Sequence, residues 1–493
     1  MRAGTEKSHL GKRPIAPTLS PGYLYGLKNK RLTVWSSCHL ALAFALFLPR
    51  LVYASGTVTN CDWPSLQTAL NGGGTVTFAC DGTITLTNTI TITITNDLVL
   101  DATGHSLIID GNNSVRLFYV TNSATLTLIH LTLANGRNVG ADGIPADNDS
   151  GNGGAIFHAR GVLDVTGAVF ASNVSTGGYG KNRQGQIGPD GNANGGGLCN
   201  QGGTATVRGC TFAMNRASGG LIGSFGLGDD ASGGAIYNRG LLWISNCSFA
   251  EDVAHGGDQP PGYVGGSAYG GGIFSLNGIV SLVNATLMNN DAFAGTGTNF
   301  FSGLAASALG DAIFSTDKTM ALTNAIVAAS PGAGTNIVGA IIDGGHNICS
   351  DSSANFTSPT SLRNTDPLLA PLADNGGPTQ TIALLPGSPA IDAGDDSACP
   401  PTDQRGVPRP IGAHCDIGAF EFVPAPFLIR GPTGNVRVEY VLQPERIYNV
   451  QSSTTLVEWI NIENATTATN GGFEFKDLNA IGLTQRFYRL RTP

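Results

Sequence analysis

Aspartates set among glycines are the residues of this chain whose possible chemistry is easiest to name. Seven of them fall in glycine-rich stretches, and four come as close pairs, Asp147 with Asp149 and Asp229 with Asp230. Ca²⁺ accepts carboxylate and carbonyl oxygens in flexible loops, so these four are the candidate calcium ligands. The alternative is that the loops are simply solvated, since the sequence has no EF-hand spacing and no glycine-rich calcium-binding nonapeptide. No other cofactor is expected.

Aromatic side chains lie in the same glycine-rich stretches. They are Tyr179, Phe225, Tyr263, Tyr269, Phe300 and Phe301. Aromatic rings on a shared surface can stack on sugar rings, although rings in loops also pin those loops to the body of a protein. These six residues are therefore candidate ligand contacts, with a polysaccharide or cell-surface glycan as the candidate partner.

A catalytic constellation is harder to find. Carbohydrate-cleaving enzymes need converging ionisable groups, either a basic side chain as in lyases or paired carboxylates as in hydrolases. Glu251 and Asp252 are adjacent, so strand alternation would aim them at opposite faces. Arg160 and Arg239 fall in equivalent turns, where a solvated structural role is the plainer interpretation. We assign no catalytic residue.

The elements that must position these residues are repeats. Gly-Gly-Ala-Ile-Phe at 153–157 returns in related form at 195–199, 233–237, 270–274 and 310–314, at offsets of 42, 38, 37 and 40 residues. A second apolar segment follows each copy. Alternating Thr with Val, Ile and Leu from residue 75 onward has the period of two that is typical of strands. A period of this length indicates one short coil stacked on copies of itself.

Stacking would place equivalent residues in columns. One internal column is predicted from Phe157, Cys199, Tyr237, Phe274 and Phe314, and a second from Phe170, Phe212, Phe249, Leu287 and Val327. A polar column at the next turn is predicted from Asn173, Asn215, Asp252 and Asn290. Asn tolerates the left-handed conformation, and stacked amides can bond along the axis.

Extra length always falls just before the paired glycines. The insertions are 137–152, 179–194, 221–232, 258–269 and 296–309. Insertions at a common corner of a solenoid stack into one surface, which is often the binding face. The candidate aromatic residues lie in these insertions, so we expect the ligand face here.

Cysteines indicate an oxidising compartment. Eight of the nine lie beyond residue 54. Cys61 with Cys80 and Cys399 with Cys415 are locally spaced pairs that could each staple an end of the solenoid. Cys210 and Cys247 occupy the same position in successive repeats, so stacking would bring them within disulfide range; a stack of two thiols is the alternative.

The repeats resemble a right-handed parallel β-helix of the kind found in secreted bacterial surface proteins and pectate-lyase-like enzymes. Residues 343–422 are more specific. Asp366-Pro-Leu-Leu-Ala-Pro-Leu-Ala-Asp-Asn-Gly-Gly-Pro, Asp403-Gln-Arg-Gly and Asp416-Ile-Gly-Ala-Phe-Glu are similar to the C-terminal part of choice-of-anchor Q domain proteins. The resemblance implies a β-helix over 55–342 that is closed by 343–422, at the surface of a bacterial cell. It implies no catalytic residues.

Residues 1–54 are predicted to be a signal peptide, with basic residues before the apolar run at 40–48 and Val52-Tyr53-Ala54 as the cleavage site. Without them the 27 Lys and Arg fall to 19 and the 35 Asp and Glu to 34, a net charge of −15. Such a surface disfavours nucleic acid and anionic lipid. A secreted or cell-surface location is expected, with no integral membrane segment in the mature chain.

A linker at 423–427 precedes alternating segments over 428–493 that predict a small β-sandwich. Three functions are open at this point. The first is a non-enzymatic surface or secreted protein that binds glycan or another cell through the stacked loops. The second is a polysaccharide lyase or other carbohydrate-active enzyme. The third is a structural spacer whose C-terminal module carries the recognition.

Overall fold

The computed structural model describes residues 56–71, 73–92, 97–121, 123–140, 151–178, 191–220, 228–297, 305–328, 334–423, 427–430, 436–441, 447–466, 472–480, 483 and 485–491. Within these residues nearly every regular element is a β-strand, so the all-β prediction is confirmed. Most strands pair in parallel with the equivalent strands of the coils before and after, which makes the repeat region a parallel β-helix. The predicted signal peptide lies outside the described residues.

Each coil contributes one strand to each of three faces. The first face contains Ile90–Ile92, Phe118–Val120, Ile156–His158, Leu198–Asn200, Ile236–Asn238, Ile273–Ser275 and the start of Ile313–Thr323 and of Ile337–Asp343. The second contains Thr57–Val58, Gly74–Phe78, Leu98–Asp101, Thr125–Ile129, Val162–Thr166, Thr204–Arg208, the first half of Leu241–Ala250 and of Ile279–Met288, and the remainder of Ile313–Thr323 and of Ile337–Asp343. The third contains Gly82–Thr85, Leu107–Asp110, Leu131–Ala134, Val169–Ala171, Thr211–Ala213, the second half of the two ten-residue strands, Ile326–Ala328 and Ile348–Cys349.

The N-terminal end of the β-helix carries the one α-helix among the described residues, Trp63–Leu70. Asp62 caps it by accepting a hydrogen bond from the Ser65 N–H, and a proline sits in its first turn, where no donor is lost. Its Leu66 is fully buried in the core.

The column led by Phe170 lies inside the β-helix, as predicted. Its residues pair in register from coil to coil, and all are fully buried. The Phe170 and Phe212 rings stack with their centroids 4.4 Å apart. Like residues about 4.8 Å apart thus fill the core without help from distant segments.

The column led by Phe157 is in register but is not part of this core, so its prediction as an internal column was wrong. Alternation along each short strand puts Ile156 and its equivalents inward and Phe157 outward. Tyr119, Phe157, Cys199, Tyr237, Phe274 and Phe314 form a separate cluster on the outer side of the first face. Tyr119 and Phe157 stack there at 5.2 Å.

The polar column is present and fully buried at the corner after the third face. The Asn173 Nδ2 group donates to Asn215 Oδ1, and Asn215 Nδ2 donates to Asp252 Oδ1, over 2.9 and 2.8 Å. The left-handed conformation belongs to the residue before each of them, such as Ser172 and Met214, with φ of 54° and 56°. The expected left-handed Asn is therefore displaced by one position.

The chain leaves the coil toward each insertion through one further parallel sheet and returns through another, and the two sheets together form a fin. The outgoing sheet contains Arg137–Val139, Val174–Thr176, Arg216–Ser218, Val253–His255 and Asp291–Phe293. The returning sheet contains Gly151–Asn152, Ala193–Asn194, Ala231–Ser232, Ala268–Tyr269 and Ala308–Leu309. Alanines such as Ala217 and Ala231 fill the space between the sheets, and a Cβ on Gly219 would lie 1.9 Å from the Asp229 carbonyl. The stacking of the insertions is confirmed where they leave and rejoin the coil.

Residues 366–422 form a strap along the third face instead of another coil. The last coil ends near Leu362, which bridges Ile348. The strap contains one hairpin, Leu369–Ala373 with Thr381–Leu384, and its Leu384, Ala390, Ile417 and Phe420 pack on Ile326 and Ile348. The predicted C-terminal part of the β-helix, 343–422, is thus coil only in its first third.

The cysteine pairs Cys61–Cys80 and Cys399–Cys415 form disulfides, as predicted. The first is at the N-terminal end of the β-helix. The second lies in the strap, with Cys399 Sγ 3.3 Å from Asn324 Nδ2, and not at an end. Cys210 and Cys247 are free and buried. Their disulfide is not formed, and the alternative of two stacked thiols describes them: the Cys210 N–H lies 3.4 Å from Cys247 Sγ.

The C-terminal module has two antiparallel three-stranded sheets, which confirms a small sandwich. One contains Phe427–Arg430, Val436–Val441 and Gly472–Asp477, and the other contains Ile460–Thr466, Ile447–Ser453 and Phe487–Arg491. A 3₁₀ turn, Leu478–Ala480, follows the first sheet. Val436, Val450 and Phe475 pack between the sheets.

Candidate functional site

Six of the predicted site residues fall outside the described residues. They are Asp147, Asp149, Tyr179, Phe225, Phe300 and Phe301. The remaining candidates, Asp229, Asp230, Tyr263 and Tyr269, all lie in or beside the fin.

Asp229 and Asp230 lie within the fin. Asp229 is fully buried between glycine segments, where Gly220 and Gly266 pack against it. Asp230 Oδ1 accepts a hydrogen bond from the Ser267 N–H at 2.8 Å. Within the described ranges no three His, Cys, Asp or Glu side chains come close enough together to hold a metal ion. The calcium prediction therefore gains no described site.

Tyr269 packs on the outward aromatic column of the first face. Its ring lies 5.1 Å from the Phe314 ring and 6.1 Å from the Phe274 ring, tilted to both. Tyr237 and Phe274 in that column are only 6 and 7 % exposed. Tyr269 is itself half-buried, and its ring contacts stabilise the junction between coil and fin, while its role as a ligand contact stays a prediction.

Glu251 and Asp252 are separated as predicted. Glu251 is exposed at the left-handed corner, with φ of 59°, and Asp252 is fully buried in the polar column. Arg160 and Arg239 are exposed in their turns. None of the four meets the others in a groove.

The third face is closed by the strap, and Gln404 is the residue that enters it most deeply. Its Oε1 accepts from the Ser248 hydroxyl at 2.7 Å, while its Nε2 donates to Thr211 Oγ1 at 2.8 Å and to the Cys210 carbonyl at 3.2 Å. Asn284 Nδ2 donates to the carbonyls of Asp416 and Gly418. Asn324 Nδ2, one coil further on, donates to the Asp395 carbonyl at 3.1 Å, so side chains of four successive coils hold the strap.

The charged residues of the motifs at 403–406 and 416–421, together with Arg409, form a buried cluster within the strap. Asp403 pairs with Arg405 at 2.7 Å and accepts the Glu421 N–H at 3.0 Å. Arg409 donates to the carbonyls of Asp416 and Gly418 at 2.7 and 2.8 Å, and lies 3.6 Å from Glu421. Burial raises the pKa of Glu421, and the guanidinium of Arg409 opposes that rise. These motif residues hold the strap together, because each buried charge is met by a backbone or opposite charge.

The second face is open, and Trp243 stands near its middle. Trp243 is 43 % exposed, and its neighbours in register on the adjacent coils are Thr206 and Ser281. Leu241 and Ile279 lie beside it and are 37 and 52 % exposed. Positions one coil apart are separated by about 4.8 Å and alternate positions on a strand by about 6.6 Å. The result is a flat, ring-sized apolar area bordered by hydroxyl groups.

Sequence reasoning missed Trp243. The aligned outward positions are Asp164, Thr206, Trp243, Ser281 and Ala321. Among these mostly small residues the aromatic side chain is the exception, and the period of two already pointed it outward. An aromatic residue at an outward position between the small residues of the adjacent coils was the sequence signal that could have identified Trp243.

A cleft of about 470 Å³ lies between the last coils and the start of the strap. Asn289, Asn336, Asp351 and Asp366 are among its lining residues. Asp351 is engaged in its own turn, where its carboxylate accepts from the Ser353 hydroxyl and from the Asn336 N–H. Asp366 is exposed at the other wall.

Asp311 lies behind the Gly334 wall of this cleft, because a Cβ on Gly334 would be 2.4 Å from both of its carboxyl oxygens. Burial raises the pKa of Asp311 to about 6, with a further contribution from the nearby carboxylates of Asp291 and Asp351. The cleft therefore has a carboxyl group that titrates near neutral pH close to one wall.

Comparison of the chain with protein-family models finds no match, and comparison with curated proteins finds none either. The fold and the residues described above therefore carry the argument on function. In the part of the chain that is described, no helix has the length and apolar character needed to cross a membrane.

Proposed function

We propose that this chain is an exported binding protein and that the open second face, centred on Trp243, contacts a neutral glycan. The exposed indole among hydroxyl-bearing neighbours is the observation that carries the proposal. An aromatic ring offers a flat apolar surface to the C–H face of a sugar, while Thr and Ser hydroxyls donate and accept hydrogen bonds at its edges.

The size of the area favours a sugar over a protein partner. The apolar area around Trp243 consists of only three side chains, those of Trp243, Leu241 and Ile279. A stable protein–protein interface takes about 800 Å² of surface from each partner, which is more than three side chains supply. A net charge of −15 without residues 1–54 favours a neutral ligand over an anionic one. The stacked insertions remain a second contact surface in this proposal.

Export is supported by the two disulfides and by the N-terminal sequence pattern. The resemblance to choice-of-anchor Q proteins is consistent with a place at the bacterial surface, and we include that location in the proposal. The motifs that carry this resemblance lie in the strap, so in this proposal the strap is a structural feature that choice-of-anchor Q domain proteins share.

The test is a glycan array probed with residues 55–493 and with Trp243→Ala. We expect wild type to bind neutral glycans and Trp243→Ala to lose at least tenfold in affinity. Trp459→Ala is the matched control in the C-terminal module, where the indole lies under Arg489 at 4.2 Å. If Trp243→Ala binds as wild type does and Trp459→Ala does not, recognition belongs to the module and the proposal is wrong.

The cleft favours a second candidate, a carbohydrate-cleaving enzyme. The Asp311 carboxyl group, with a pKa of about 6 and the Asp351 carboxylate nearby, suits general acid–base chemistry. Polysaccharide panels assayed for new reducing ends and for unsaturated products would detect hydrolysis and elimination respectively. Activity that disappears in Asp311→Asn and Asp366→Asn but persists in the exposed-site control Asp396→Asn would favour this candidate, and lack of any product would exclude it for those substrates.

A further inference from the structure

The polar column contains one acid among amides. At Asn173 and Asn215 the side-chain Oδ1 accepts from the coil before, whereas Nδ2 donates in two directions. Asn215 Nδ2, for example, donates to the Phe170 carbonyl on the coil before, at 2.9 Å, and to Asp252 Oδ1 on the coil after, at 2.8 Å. Asn290 Nδ2 likewise donates to the Phe249 carbonyl at 3.1 Å. Each amide nitrogen is thus a donor placed among oxygens.

Asp252 takes the same position with an oxygen in place of that nitrogen. Its Oδ1 plays the ordinary part of the column, accepting from the N–H and the Nδ2 group of Asn215, both at 2.8 Å. Its Oδ2 occupies the place of the amide nitrogen, and among the described residues no hydrogen-bond partner meets it. By the repeat, the oxygen that faces it from the coil before is the Phe212 carbonyl.

The coil after also presents oxygen. Asn290 Oδ1 accepts from the Asp252 N–H at 3.1 Å, so that oxygen is already turned toward Asp252. A carboxylate at this position would bring a charged oxygen against acceptors in a site with no exposure to solvent. Unpaired buried charge of this kind is avoided by taking up a proton.

We infer that Asp252 is held as the neutral acid and that its Oδ2–H donates to the Phe212 carbonyl, replacing the amide donor of the other coils. The proton is thus a structural component of the column. Its loss leaves two acceptors facing each other between the coils of Phe212 and Phe249.

The charges around the site act in the same direction. Burial raises the pKa of Asp252 to about 8, the hydrogen bonds from Asn215 lower it, and the neighbouring Glu251 raises it. Asp291, on the next coil, donates its backbone N–H to the Asp252 carbonyl and adds another acid nearby. His255, on the strand that follows Asp252, has a pKa that burial and the nearby Arg216 lower, which disfavours a positive charge there.

The sign of the pH dependence follows. In the unfolded chain the carboxyl group ionises near its ordinary value of 3.8, whereas in the folded chain it keeps its proton to about pH 8. Between these values the unfolded state binds fewer protons, so folding weakens as the pH rises. The stabilisation that Asp252 contributes is greatest in acid. Between the two pKa values the titration of Asp252 lowers the folding equilibrium constant by about tenfold for each pH unit, and above pH 8 its contribution no longer changes.

The experiment compares wild type with Asp252→Asn in urea unfolding from pH 4 to pH 9. The amide restores the donor permanently, so the two proteins should be similar at pH 4 and should diverge by about tenfold per pH unit until near pH 8, with the variant more stable. Other acids, including Asp311 and Asp416, titrate in both proteins and cancel in the difference. Asp258→Asn is the control, because the pKa of Asp258 is lowered and its loss should act with the opposite sign.

Infrared spectroscopy in heavy water provides a readout that does not depend on unfolding. In the difference spectrum of wild type minus Asp252→Asn, a protonated carboxyl band should be present at pH 6 and absent at pH 9, whereas the bands of other acids, such as Asp416 with its pKa raised to about 8, cancel. A stability difference that is the same at pH 4 and pH 9, or an ionised Asp252 at pH 6, would overturn the inference.

Discussion

The Phe212 and Phe249 rings stack across two coils with their centroids 4.8 Å apart and their planes within 7°. Phe170 continues the stack on the other side of Phe212. Each ring is fully buried and touches its equivalents above and below, so a change at one coil is felt by its neighbours.

Phe212→Asp should prevent the β-helix from forming. The substitution removes a ring from the middle of the stack and buries a carboxylate that no cation meets, which costs several kcal/mol. Phe212→Ala should cost about 3–5 kcal/mol, measured by urea unfolding. Phe293→Asp is the control, since that ring is 41 % exposed on the fin. Native strand content by circular dichroism and an unchanged melting temperature in Phe212→Asp would reject the stack.

Substitution by alanine should destabilise the protein at one of two adjacent glycines and have little effect at the other. A Cβ on Gly203 would lie 2.1 Å from Cε1 of the buried His158 ring, whereas a Cβ on Gly202 would meet only the Ala159 carbonyl at 3.6 Å. His158 is fixed by its Nδ1 contact with Asn200 Oδ1 at 3.0 Å, so it cannot easily move away. We expect Gly203→Ala to destabilise the protein by about 2 kcal/mol or more, and Gly202→Ala to change it by less than about 0.5 kcal/mol.

The double variant His158→Ala with Gly203→Ala tests the cause. Removing the ring makes room for the new methyl group, so the cost of Gly203→Ala should shrink when it is measured against His158→Ala alone. Strictly additive costs would mean that the ring is not what Gly203 accommodates.

Gln404→Ala should loosen the strap. The side chain is nearly fully buried, and its loss leaves the Ser248 hydroxyl and the Cys210 carbonyl without their partner on the strap. We expect a loss of about 2–4 kcal/mol and faster hydrogen exchange across 366–422. Gln201→Ala, at a half-buried glutamine on a turn, is the control. Exchange in the strap that matches wild type would show that Gln404 does not secure it.

Two deletions in one insertion distinguish the contribution of the loop tip from that of the fin. Replacing 179–190 by a Gly-Ser turn should leave folding nearly intact, because loop length affects stability weakly. Removing 179–194 also deletes Ala193–Asn194, which pairs with Gly151–Asn152 and Ala231–Ser232, so it should lower the melting temperature clearly. If the shorter deletion abolishes glycan binding while Trp243→Ala does not, the insertions are the binding face. Equal melting temperatures for the two deletions would mean that the returning sheet contributes little.

The sequence predicts the β-helix because its columns repeat at nearly constant offsets, and a column such as Phe170 to Val327 needs only local alternation to be recognised. The orientation of Phe157 could not be obtained in this way. Ile156 and Phe157 are both apolar and lie on a three-residue strand, so either could face the core. The stacking of Phe157 on Tyr119 and the Arg116 guanidinium 5.3 Å from its ring account for an outward Phe at this position.

The strap could not be predicted from periodicity because it has none. Its position depends on contacts between residues such as Gln404 and Thr211 that are about two hundred positions apart in the chain. Two of the motifs that indicated a family resemblance supply its internal ion pairs, Asp403 with Arg405 and Glu421 with Arg409. Trp243, by contrast, was predictable, because it is an aromatic residue at an outward position where the adjacent coils have Thr206 and Ser281.

A stack of coils in which each touches only the next would ordinarily unfold piecemeal from either end. The strap changes this for the coils between Gly209 and Ile348, because one segment bonds to several of them at once and they must open together. It also sets an order of assembly. These coils are synthesised before residues 366–422, so their third face stays uncovered until the strap emerges. A chain interrupted ahead of residue 366 would keep that row of unpaired hydroxyl and apolar groups, making premature truncation a more damaging event here than the loss of the C-terminal module.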